Sequence, residues 1–480
     1  MNGRDVGSVK QEVQPNTVLL CGINPRINRT WVVREKTRST QIASTEWLCF
    51  PPSPVFDSTF LRYYMMQYWF RDFLAHNASG VGGSLMRVKK TTLAECPVYV
   101  PSLVEQRAIV AKIEELFSEL DKGIEQLQAV KQQLKQYRQA VLKAAFEGKL
   151  TAEWRSEQQA AGKLPGADEL LEQIKTEREE RCQQQLQEWK SAESLKKPAR
   201  LKAFSASFGN ELANLGRLPQ GWVWVSLSAL GDLARGKSRH RPRNAPHLYG
   251  GPYPFIQTGD VKAANRVVRE YTQTYSDAGL AQSRMWPAGT LCITIAANIA
   301  ESAFLGFDGC FPDSIVGFSA DESLVNPCYV QFFLESAKSR IAAFAPATAQ
   351  KNINLSTLEN LVVPYCSLAE QAVLEAEIES RFSVLDELDK AVDQGLQKAE
   401  ALRQSILKKA FEGRLLSEAE LAAVRNDPEY EPADKLLERI QAERGQDLQP
   451  SKATRIRNGT RWETVHHPSE GIEQTESETK

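Results

Sequence analysis

Arg235, Lys237, Arg239, Arg241 and Arg243 place five cations on alternate positions with no acid among them. Residues of this type neutralise phosphates, and the arginines can also form paired hydrogen bonds with a guanine edge. A solvated charged loop would read the same way. Gln350, Lys351 and Asn352 fall in a polar segment between a helical pattern and an apolar run, and the amides of Gln and Asn suit an adenine edge. Arg26, Arg29, Arg87 and Lys89 form a sparser set within residues 1–100, where 12 Lys and Arg stand against 7 Asp and Glu.

Signals for catalysis are weaker. Asn326-Pro327-Cys328-Tyr329 invites comparison with the Asn-Pro-Pro-Tyr loop of amino-methyltransferases. Cys replaces the second proline, however, and no glycine-rich cofactor loop precedes it. Asn as a cap with Pro in the first turn of a helix running to Phe344 explains the residues better. No G-x-x-x-x-G-K-[ST] phosphate loop is present. The five histidines, including His466 and His467, lack metal-ligand spacing. The expectation is a chain that does no chemistry itself.

The elements that must position these residues begin with composition. With 480 residues, 42% hydrophobic and 25% charged, the chain has the make-up of a soluble multidomain protein. No run approaches the roughly 18 apolar residues of a membrane span, and no basic-then-apolar leader opens the chain, which predicts a cytoplasmic protein without membrane contact. Eight single cysteines (Cys21, Cys49, Cys96, Cys182, Cys292, Cys310, Cys328, Cys366) argue against zinc sites and disulfide frameworks. The net charge of -1 decides nothing about nucleic acid, because local clustering matters more.

The chain repeats itself once. Shifted by 265 positions, 103–150 falls on 368–415 without a gap and with 20 identities in 48 positions. Within it Ile113, Leu120, Leu127, Leu134 and Val141 recur every seven residues, with Leu116, Val130 and Tyr137 at the intervening spacing. The second copy keeps the row as Ile378, Leu385, Val392, Ala399 and Ile406. Such rows predict two helices of about 40 residues, about 60 Å long, packed on each other as an antiparallel pair or exchanged between protomers. Each ends in Phe-Glu-Gly, with Gly148 and Gly413 suited to left-handed caps. A fainter repeat links 167–178 to 433–444 at an offset of 266.

Between the helices, 218–364 is richer in Gly and Pro and carries short strand-like runs, which predicts an α/β domain. Tyr64 to Thr92 aligns with Tyr329 to Thr357 at the same 265 offset, while Thr17-Val18 pairs with Thr290-Leu291 at 273. The first copy then lacks a counterpart of 216–273: either the start is truncated or the first domain is minimal. Residues 151–215 read as a charged, helical and partly flexible connector, and those from Pro468 on as a disordered tail.

The order globular, long helix, globular, long helix resembles the specificity subunit of type I restriction-modification enzymes. The features that carry the resemblance are Leu218-Pro219-Gln220-Gly221-Trp222, the Glu-Gln that opens each long helix (Glu105-Gln106, Glu370-Gln371), and the closing Leu-Lys-x-Ala-Phe-Glu-Gly at 142–148 and 407–413. The resemblance implies an α/β fold with two globular target-recognition domains, separated by two long helices that form an antiparallel coiled coil with a pseudo-twofold repeat. Its parts would be a short first recognition domain (1–102), a spacer helix (103–150), a linker (151–215), a second recognition domain (216–366), a second spacer helix (367–416) and a C-terminal tail (417–480). It further implies reading of a bipartite site on double-stranded DNA, with the spacer length fixing the half-site separation. Two methyltransferase subunits and the restriction subunits would dock on this chain, and S-adenosylmethionine, ATP and Mg2+ would belong to those partners. The alternatives are a non-catalytic coiled-coil scaffold for other proteins and a degenerate methyltransferase.

Overall fold

The computed structural model describes residues 8–27, 29–35, 39–80, 86–94, 96–191, 216–343 and 352–447, and the strands Arg455–Asn458 and Arg461–Thr464. The chain divides into two compact units, Met1–Leu127 with Gln394–Lys480, and Gln128–Asp393.

Two helices of 44 residues, Leu103–Phe146 and Leu368–Phe411, follow from the seven-residue rows. At 1.5 Å per residue each is about 66 Å long. Within the second unit Lys131 meets Asp393 and Arg138 meets Asp386, so the helices run antiparallel. The row on the second helix is buried throughout (Ile378, Leu385, Val392, Ala399, Ile406). On the first helix only Ile113 and Val141 are fully buried, and Leu120, Leu127 and Leu134 are half-buried.

Of the expected companion row, Leu116 packs half-buried against the core around Ile113 and Phe117, but the later positions do not. Val130 and Tyr137 are 39% and 54% exposed. The positions facing the partner lie four residues on, at Phe117, Ile124, Lys131, Arg138 and Ala145. Lys131 and Arg138 can occupy the seam because their carbon stems cover apolar surface while their charges reach Asp393 and Asp386. The arrangement is duplicated. Arg138 lies 4.3 Å over Phe382 and pairs with Asp386, and in the other unit Arg403 lies 4.6 Å over Phe117 and pairs with Asp121. Phe117, Asp121 and Arg138 map onto Phe382, Asp386 and Arg403 at the 265 offset.

The Glu-Gln at each helix start is explained by burial. Gln371 accepts from the Asn326 backbone N–H (2.9 Å) and donates to the Cys366 and Leu324 carbonyls (2.8 and 3.3 Å). Gln106 accepts from the Asp57 N–H and donates to the Val55 and Pro101 carbonyls, each at 2.8 Å. Each fully buried amide therefore ties a long helix to the turn that caps the helix of its own globular domain. Glu370, also buried, is bonded by Arg155 and by Thr151 Oγ1 (2.6 Å). Gly148 and Gly413 close the helices at φ 69° and 68°, where an L side chain would be strained.

In the second unit the central sheet has five strands in the order Gly231–Arg235, Ile315–Ala320, Leu291–Thr294, Ser302–Leu305, Val267–Val268. The first four are antiparallel, and the last is parallel to its neighbour. A two-stranded ladder joins Val223–Ser226 to Val362–Tyr365, and helix Pro327–Ala343 packs its Tyr329, Phe332 and Phe333 into the same core. Asn326 caps that helix by accepting from the Cys328 N–H at 2.9 Å.

The stretch 151–215, read from sequence as a charged, helical and partly flexible connector, includes a helix docked on this core. Ala167–Ser191 buries Leu170 and Ile174 in this core, and Arg181 pairs with Asp232 and Asp321, each at 2.9 Å. Two apolar residues one turn apart were enough to dock it, too few to stand out among its many charges. Residues 192–215, and those from Pro468 on, lie outside the described residues.

The first unit carries a smaller version. Its three-stranded sheet runs Thr30–Val32, Val18–Cys21, Trp47–Phe50, beside a two-stranded ladder of Lys10–Glu12 with Ile42–Ser44. Helices Ser58–Met65 and Tyr68–His76 cover it, and Tyr64, Phe70 and Leu74 fill the core.

Candidate nucleic-acid interface

The end of the five-stranded sheet gathers the described candidates of the second unit. Arg235 closes its strand opposite Val316, Ile315 pairs with Thr294, and the next backbone along, Ala296, bridges to Asn352. Adjacent strands lie about 4.8 Å apart, so two steps carry the site across about 10 Å, comparable with the major groove of duplex DNA.

Beyond Arg235 the chain leaves the sheet in extended form. Gly236 N–H donates to Ile315 O (2.9 Å) and Lys237 N–H to Phe311 O (3.1 Å). Gly236 is required by close approach: a Cβ there would sit 2.3 Å from Phe311 O and 2.4 Å from Pro312 O. Ser238 is buried as well, whereas Arg235, Lys237, Arg239, Arg241 and Arg243 are all exposed. Alternation over 235–239 thus sends Gly236 and Ser238 inward and Arg235, Lys237 and Arg239 outward, and beyond it 241–244 are all exposed. Gln282 Oε1 accepts from the Arg239 and His240 N–H groups (2.5 and 3.0 Å), and Ser283 Oγ donates to Lys237 O (2.8 Å). Beneath the stretch Tyr275 stacks on Phe255 with ring centroids 3.9 Å apart, and burial pushes its phenol pKa up.

The five cations are not equivalent. Arg243 makes a two-fold contact with Asp313, 2.9 Å to each oxygen, which supplies an acid that the local sequence lacks. Arg241 folds back onto the Ser238 and His240 carbonyls at 2.7 and 2.9 Å. Among the described residues, the side chains of Arg235, Lys237 and Arg239 carry no hydrogen bond or ion pair. Sequence reasoning missed Arg284. It lies exposed over Trp286 at 3.9 Å, beside the residues that bind the Lys237 and Arg239 backbone. A lone arginine 45 residues from Arg239 gives no local signal.

Asn352 is exposed, and its neighbour Ile353 N–H donates to Ile295 O at 3.0 Å. Gln350 and Lys351 lie outside the described residues. In the first unit the matching bridge joins Ile23 to Arg87, so Arg87 occupies the place of Asn352. The turns agree too, because Asn24 and Ala297 both adopt positive φ, 48° and 63°. Arg87 pairs with Glu46 at 2.7 Å, Arg29 donates to Ile23 O at 3.2 Å, and Arg26 lies in the turn between them. Lys89 is exposed two residues beyond Arg87. The first unit therefore gathers its candidates at the corresponding place but engages more of their charge internally.

No helix among the described residues is long and apolar enough to cross a membrane, and no cluster of three or more His, Cys, Asp or Glu there could hold a metal.

Comparison with known proteins fits this geometry. Residues 219–398 match the family model described as Type I restriction modification DNA specificity domain. The chain is 24% identical over 375 residues to the Type I restriction enzyme EcoDI specificity subunit of Escherichia coli, covering 76% of this chain and 73% of the relative. It is 22% identical over 378 residues to the StySPI specificity subunit of Salmonella potsdam, covering 76% and 67%. Among solved structures, a chain from work on assembly and conformational transition of the type I R-M system shares the fold at a TM-score of 0.61 and 17% identity, covering 86% of both chains.

Proposed function

We propose that this chain, by its family match and its relatives a type I restriction-modification specificity subunit and not itself an enzyme, reads a bipartite DNA site with one recognition surface in each unit. The carrying observation is the second unit's sheet end. There three unpaired cations and an exposed Asn project from adjacent backbones. Arg235, Lys237 and Arg239 serve phosphates, with the arginines available to a guanine edge, and Asn352 suits an adenine edge. Gln350 and Lys351 directly precede Asn352 in the sequence. The matching turn and bridge at Asn24 and Arg87 support a second reader in the first unit, with Arg26, Arg29 and Lys89 around it.

The long helices carry the docking role. Each unit presents one copy of the Arg–Asp–Phe arrangement, which suits two like partners, namely two methyltransferase subunits, with restriction subunits joining that assembly. S-adenosylmethionine, ATP and Mg2+ then sit on those partners, and the complex works in the cytoplasm.

The test is a genome-wide methylation map after co-expression with a methyltransferase partner. A split motif with a fixed gap is expected. A contiguous motif would refute bipartite reading. Partner binding with no change in DNA preference would refute recognition by this chain.

A further inference from the structure

Arg284 is a cation of a different kind from those of the basic stretch beside it. The residue is exposed, yet its guanidinium carbon lies only 3.9 Å from the centroid of the Trp286 ring. That ring has little room to move. Trp286 is buried and stacks on Phe311, with centroids 4.9 Å apart and planes 20° from parallel. Gly317 makes space for it, because a Cβ there would fall 2.6 Å from the indole.

The same support holds the basic stretch. Gln282 Oε1 accepts from the Arg239 and His240 N–H groups, Ser283 Oγ donates to Lys237 O, and Phe311 O accepts from Lys237 N–H. Arg284 directly follows two of these residues, so it stands one side-chain hydrogen bond away from the backbone that carries Lys237 and Arg239.

Contact with a ring uses the face of a guanidinium and leaves the N–H groups along its edge to other partners. Among the described residues, no carboxylate or carbonyl takes those of Arg284. Its fork is therefore placed before a ligand arrives, and little rotamer freedom is left to lose on binding. Arg235, Lys237 and Arg239 lack such support, which suits phosphates, because a phosphate contact carries no sequence information directly. The first unit has no stacked arginine at the matching place. At the 273 offset that relates Thr17 to Thr290, Arg284 falls on Gln11 and Trp286 on Val13. Gln11 is committed inward, donating to the Ser44 and Trp47 carbonyls at 3.0 and 2.7 Å.

We propose that Arg284 is a specificity-determining residue of the second unit. Held on Trp286, it donates paired hydrogen bonds to O6 and N7 of one guanine in that unit's half-site. Trp286 acts through it as a positioning residue. The proposal rests on the reading that the second unit recognises DNA.

The experiment uses the full chain in complex with its methyltransferase partner. Duplexes carrying the mapped site, each with one base pair replaced, are titrated by anisotropy. In the unaltered complex, replacing one G·C pair by A·T should cost about tenfold or more. Arg284→Met keeps an apolar cover on Trp286 but has no donors. It should bind those two duplexes alike, keep its preferences at every other position, and unfold at the same temperature as the parent. If it unfolds earlier, Arg284→Lys, which keeps the stem and charge but lacks the fork, should narrow the difference at that same position. An equal loss on every duplex, with a salt slope lower by about 0.9, would mark a phosphate contact and overturn the proposal. An unchanged pattern of preferences would overturn it too, leaving Arg284 as a lid on Trp286. An unaltered complex without any base preference would remove DNA reading by this chain and the proposal together.

Discussion

Replacing Arg235, Lys237 and Arg239 together by Ala tests the phosphate role directly. Each phosphate neutralised by a cation contributes about 0.9 to the slope of log K against log salt. Three such contacts sum to about 2.7. Between 50 and 200 mM salt, about 0.6 log units, the intact chain should therefore lose about 40-fold more affinity than the triple variant. Arg243→Ala provides the internal control. Its guanidinium is already held by both oxygens of Asp313, so removing it should change the slope by well under one contact. The assay is anisotropy of a labelled duplex carrying the mapped site, titrated with the partner-bound complex at four or more salt concentrations. An unchanged slope in the triple variant would refute the assignment. So would a slope change for Arg243→Ala equal to that of Arg239→Ala, because the ranking rests on which cations are engaged internally.

Four other outcomes can be checked. Gly236→Ala should displace the basic stretch, since its Cβ would meet two carbonyls below 2.5 Å, and DNA affinity should fall while the methyltransferase still binds. Gln371→Ala strands a buried N–H and two carbonyls and should destabilise the second unit by about 3 kcal/mol, read by denaturant unfolding. Ile113→Glu should disrupt the helix pair more than Leu127→Glu, because Ile113 is fully buried and Leu127 is not; equal losses of helicity would contradict that order. Burial raises the Asp321 pKa, but bonds from Ser323 and Arg181 outweigh it and the net shift is downward. A depressed carboxyl contributes stability above its unfolded value of about 3.9 and loses it as pH falls through the lower folded value. Protection of amides in helix Ala167–Ser191, taken relative to their intrinsic exchange rates, should therefore fall only in that acid range, and Asp321→Asn should weaken that fall, leaving Arg181 paired with Asp232 alone.

The long helices were legible because seven-residue spacing and Phe-Glu-Gly stops are local signals. The Glu-Gln pair was legible as a motif, but its reason was not: Gln371 bonds Leu324 and Asn326, more than 40 residues away. Spacing alone also left the companion row undetermined, since steps of three and four both fit a heptad. The structure chose the row with Lys131 and Arg138, whose acids lie on the other helix. At the candidate interface the cations were legible as a run. Which of them are engaged was not, because Asp313 lies 70 residues from Arg243.

The duplicated helix also bears on how such a gene can change. Because 103–150 and 368–415 are alike in register, recombination between their coding stretches would remove 265 codons in frame and leave 215 of 480. The product would keep one hybrid helix with Phe117, Asp121 and Arg403, each at its place in the repeat, but no second helix for it to face. Two such chains would restore both copies of the arrangement across a true twofold axis, turning an internal repeat into a homodimer without a new contact having to evolve.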